Sequence, residues 1–93
     1  MANKNPEWLV IGEGFADITF SRTVTLGGVK MTSVRMREPT VEDSITTSEM
    51  DGSDALREVH AIANLVEQSP DDIRKLGMRD FRRLQMAYLS FID

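Results

Sequence analysis

Chemistry in this chain would have to come from a short list of groups: one histidine, His60, a few paired acids, and the basic residues Arg74, Lys75, Arg79, Arg82 and Arg83. His60 shares a helical stripe with Arg57, Asn64 and Glu67, which places it on a solvated face and not in a catalytic or metal site. With no cysteine and no second histidine, a zinc site would need an all-carboxylate ligand set. Glu42 and Asp43 are adjacent, so on a helix their side chains diverge by about 100° and cannot share a proton as an acid-base pair. Asp51, Ser53 and Asp54 lack the alternating oxygens and distal glutamate of a calcium loop. Gly12-Glu13-Gly14 and Gly27-Gly28 lack the third glycine and helix start of a dinucleotide loop, and no phosphate-binding lysine follows them. The residues therefore point to no catalytic, metal or cofactor site, and to a protein that is not an enzyme.

The same groups read well as parts of structural elements. The glycine pairs are turns, because glycine takes positive φ without steric cost. Residues 18–25 alternate apolar and polar side chains, with a slip near Thr23 that suggests a bulge, and residues 29–37 repeat the alternation beyond Gly27-Gly28. This is a β-hairpin. Trp8 and the apolar run to Ile11 suit an edge strand or clasp on that sheet, and in the sharper reading an exposed docking segment.

Met36-Arg37-Glu38-Pro39-Thr40-Val41-Glu42-Asp43 joins sheet to helix. Pro39 gives no amide hydrogen to a ladder and holds Glu38 extended, which ends a strand. Thr40 can cap the helix that follows through the Asp43 amide, with Glu42 and Asp43 at its electropositive end. Glu38, Pro39, Thr40 and Asp43 are thus structural residues. A second helix runs from Asp54 to about Glu67 behind Ser53, with Ala55, Val59, Ile62 and Val66 at helical spacing. Ser69-Pro70-Asp71-Asp72 opens a short third helix that Gly77 closes, and a fourth over residues 79–92 aligns Phe81, Leu84, Tyr88 and Phe91. The expected fold is α+β: a small antiparallel sheet built on an N-terminal β-hairpin, covered by three to four helices. It forms one domain over residues 1–93, divided into an N-terminal segment (1–14), the hairpin (15–38) and a helical part (41–93).

Ninety-three residues allow one domain with a thin core. The longest apolar run is too short for a signal-peptide core or a membrane span, so a soluble, unexported protein with no membrane partner is expected. The net charge is -4, and residues 44–68 hold five acids against one basic group. Such a balance disfavours nucleic acid as a partner, since binding to phosphates needs a basic surface. The alternative is a small DNA-binding regulator using the two C-terminal helices as a helix-turn-helix. Against it, Asp71, Asp72 and Asp80 lie among the arginines, and salt-bridged solvent faces explain those charges more simply.

The remaining signal is for contact. Six methionines supply adaptable apolar surface as well as core filling. Met31 and Met36 belong in the core, but Met86 falls off the apolar stripe of the last helix, beside Arg79 and Arg82. That helix ends in Leu89-Ser90-Phe91-Ile92 with no polar tail. Trp8, Met86, Leu89, Phe91 and Ile92 are accordingly the candidate partner-binding residues, and the thin core also favours a homo-oligomer.

Several motifs occur in a recognisable order: Ile18-Thr19-Phe20-Ser21-Arg22, Gly27-Gly28, Val34 through Asp43, Ile62-Ala63-Asn64-Leu65, Ser69-Pro70-Asp71-Asp72-Ile73, and Asp80-Phe81-Arg82-Arg83-Leu84-Gln85. In these the chain resembles the tail assembly chaperones of Mu-like and P2-like contractile-tailed phages, the protein E class. The resemblance implies a non-enzymatic protein of the host cytoplasm, absent from the mature virion and without cofactor. Its implied partners are the tape measure protein, which it would keep soluble, and the tail tube protein.

Overall fold

In the computed structural model, which describes residues 5–92, three strands precede four helices. The sheet is an antiparallel meander in the order β1 (Leu9–Gly12), β2 (Phe15–Leu26), β3 (Val29–Arg37). The helices α1 (Val41–Ser48), α2 (Asp54–Leu65), α3 (Pro70–Arg74) and α4 (Met78–Ser90) follow. This is the α+β arrangement expected from the alternation of the first third of the chain and the helical periodicity of the rest.

Both turns are built on glycine. Gly27 and Gly28 have φ of +61° and +78° and connect the paired residues Leu26 and Val29, the geometry of a two-residue I′ hairpin. At the other hairpin, Gly14 has φ of +83°, and the ring of Phe15 lies over Gly12, where a Cβ would force the ring to move.

The period of two sends Ala16, Ile18 and Phe20 of β2 and Val34 and Met36 of β3 to the same covered face. There they meet Leu9, Ile62, Leu65, Val66, Ile73, Leu84 and Ala87. Ala55 does not join them. It is exposed, at the first turn of α2 where the helix has not yet reached the sheet.

The irregularity near Thr23 is large: Thr19 pairs with Ser33 and Val24 with Met31, so five steps along β2 match two along β3. A bulge of this size strands backbone groups that must find partners elsewhere. Helix α4 supplies them. The Ser21 N–H donates to Asp80 Oδ1 at 2.7 Å, and Arg83 donates to the Thr19 carbonyl at 2.7 Å. Asp80 is buried, at 2 % exposure. The expectation of salt-bridged solvent faces in this region is therefore corrected: the ion pairs of the described residues are Arg35–Asp17, Arg37–Asp43 and Arg57–Asp54, none of them on α3 or α4. The charges of α4 that the sequence suggested were solvated are partly consumed in closing the bulge.

Candidate partner-binding surface

The joint between β3 and α1 converges on one carboxylate. Asp43 accepts the Thr40 amide at 2.8 Å while Thr40 Oγ1 accepts the Asp43 amide at 3.2 Å, a reciprocal capping box. Arg37 grips the same carboxylate with two guanidinium nitrogens at 2.7 and 2.9 Å, and Asn64 of α2 donates to it at 3.2 Å. These donors, Arg37 above all, hold the Asp43 carboxyl well below the usual carboxylate range.

Helix α1 needs that anchorage. None of its residues is buried, and Thr, Ser, Val and Ile are weak helix formers. Asp43→Asn should cost about 1–2 kcal/mol at neutral pH, by loss of a cap and of charge-assisted bonds. The folded-state pKa is depressed, so this contribution is complete above the unfolded carboxyl value of about 4 and is lost as the pH falls from there toward the folded value. Urea midpoints of the two proteins should therefore converge in acid, and a constant gap from pH 7 to pH 3 would contradict the assignment.

Beneath α1 lies a groove of about 650 Å³, walled by α1 and α2 and closed by the C-terminal end of α4. Its apolar lining includes Val41, Met50, Leu65, Tyr88, Phe91 and Ile92, and Thr46, Thr47 and His60 add polar groups. His60 is half-buried here and not fully solvated, because the stripe that carries it faces α1.

The five candidate residues fall in three places. Phe91 is half-buried against the core and lines the groove beside Ile92, which is 55 % exposed. Met86 and Leu89, at 47 % and 57 %, are exposed on α4 with Arg79 and Arg82, Met86 in keeping with its angle off the apolar stripe and Leu89 from the edge of that stripe. Trp8 is half-buried against the core just before β1, and the Arg83 guanidinium lies 4.9 Å from its ring centroid. It thus packs as a clasp on the sheet, with part of its ring still open to solvent. The groove itself escaped the sequence reading, since it depends on how α1 is set against α2, a long-range outcome of the Arg37–Asp43–Asn64 contacts.

Among the described residues no group of three or more His, Cys, Asp or Glu side chains could hold a metal ion, and no helix is long and apolar enough to cross a membrane. A family model described as phage tail assembly chaperone proteins, E, or 41 or 14, matches residues 17–93. Neither a curated protein nor a solved structure matches the chain.

Proposed function

The chain belongs to the phage tail assembly chaperone family, and on that premise we propose that it binds the tape measure protein and keeps it soluble during tail assembly. The family match carries this reading, because it spans most of the sheet and every helix, including the groove beneath α1 and the outer stripe of α4. A tape measure protein is a long helical chain with apolar stripes, and a chaperone for it needs an adaptable apolar face backed by enough charge to keep the complex dispersed. The acidic balance of this chain suits the second need. The role is non-enzymatic, is carried out in the host cytoplasm, ends before the tail is complete, and extends to bringing in tube subunits. The DNA-binding alternative loses ground because α4 turns Asp80, Leu84 and Ala87 into the domain and spends Arg83 on the Thr19 carbonyl.

Co-expression with the tape measure protein of the same phage tests the proposal: a complex should form and the soluble fraction of the tape measure should rise. Absence of both would refute it. Within that experiment, Met86→Asp should weaken the complex while leaving the circular dichroism of the free chaperone unchanged, since the side chain it replaces is already half in water. A loss of helical signal would instead return Met86 to a packing role.

A further inference from the structure

Resting on the tape measure reading, we infer that the groove between α1, α2 and the end of α4 receives one amphipathic helix of that partner, whose apolar stripe is flanked by lysine or arginine.

The walls offer nothing to a peptide that binds by strand addition. They are helices, whose backbone groups are already bonded internally, so the groove offers no free sheet edge to which a strand could be added. What it offers is side-chain surface, with Leu65, Tyr88, Phe91 and Ile92 along the floor and end and Val41 and Met50 on the α1 side. A ligand that brings side chains at i, i+3 or i+4 and i+7 matches such a trough.

The charge around it is of one sign. Glu42, Glu49, Asp51, Glu67 and Asp71 are exposed, each is next in sequence to a residue lining the groove, and none forms an ion pair among the described residues. The nearby basic groups are already engaged: Arg37 on Asp43, and Arg57 on Asp54 and the Gly52 carbonyl. An apolar trough with an acidic rim attracts a basic-flanked apolar helix and repels an acidic one. A second copy of the chain would bring its own net charge of -4 toward that rim, which sets it behind a basic segment of the partner.

The test uses the full chain and the tape measure protein of the same phage. In Glu49→Lys/Glu67→Lys two of the five rim acids become basic at positions outside helix first turns, and circular dichroism of the free protein must match the wild type before binding is compared. The change in net charge is matched in a control, Glu7→Lys/Thr23→Lys/Thr32→Lys, at exposed residues that do not line the groove. The rim variant should bind the tape measure about tenfold more weakly than the wild type at low salt, with the gap closing as salt rises, and the control should bind as the wild type does. Equal binding by the rim variant and the wild type would overturn the groove while leaving the tape measure reading in place. A wild-type chain that forms no complex would remove that reading and the inference with it. If the rim variant alone changes the mass of the free chaperone in light scattering, the occupant is a second copy, and the inference is wrong.

Discussion

Leu84→Ala should lower the stability of the domain by about 2–5 kcal/mol, the usual range for removing a fully buried leucine. Leu84 has no exposed surface and sits on the inward stripe of α4 between Asp80 and Ala87. The core it joins is one layer of helices on one face of a three-stranded sheet, so little surrounding material can relax into the space. Small domains have only about 5–15 kcal/mol of total stability, which makes this change large enough to populate the unfolded state near physiological temperature. A urea titration followed by far-ultraviolet circular dichroism measures it. A midpoint within error of the wild type would mean that α4 does not pack as described.

Asp80→Ala is the second large effect, with an expected loss of about 1–3 kcal/mol. The change removes the acceptor of the Ser21 N–H inside the bulge, and the stranded donor cannot turn to β3, because the register there skips past it. It also removes a carboxylate from the first turn of α4, a helix whose N-cap, Gly77, contributes no side-chain bond. Asp80→Asn keeps an acceptor oxygen and should recover part of the loss. If alanine and asparagine are equally destabilising, the hydrogen bond to Ser21 is not what holds the residue in place. If both behave as wild type, the buried carboxylate contributes nothing to the fold.

Local grammar was legible in the sequence wherever the cause was local. Gly27-Gly28 announced the hairpin, Pro39-Thr40 the change from strand to helix, and Ser53 and Ser69 the starts of α2 and α3, each through a backbone preference or a cap within four residues. The end of α2 was less visible. Glu67 takes the left-handed position, with φ of 58°, where a glycine would have signalled the stop, and the Gln68 and Glu67 amides close the helix onto the Ala63 and Asn64 carbonyls.

What depends on distant contacts was not legible. Asp80 looked like one more surface charge because the amide it serves lies 59 residues earlier in the chain. The exposure of Met86 followed from helical angle and the packing of Trp8 from the apolar run it opens, whereas the stacking of Arg83 on that ring required knowing that α4 would reach across to it. The groove belongs to the second class, as it exists only once α1 has been fixed by a carboxylate that three separate elements share.

The bulge in β2 also bears on the order of events at the ribosome. Residues 15–37 can begin to pair as soon as they emerge, but the Thr19 carbonyl and the Ser21 amide must wait for Arg83 and Asp80, which are synthesised more than fifty residues later. Until then the hairpin lacks the part of its apolar cover that Leu84 and Ala87 supply, as well as partners for these groups, and a lone pair of strands is marginal in water. Helix α4 is therefore the element that completes the hydrogen bonding of a strand made some sixty residues before it.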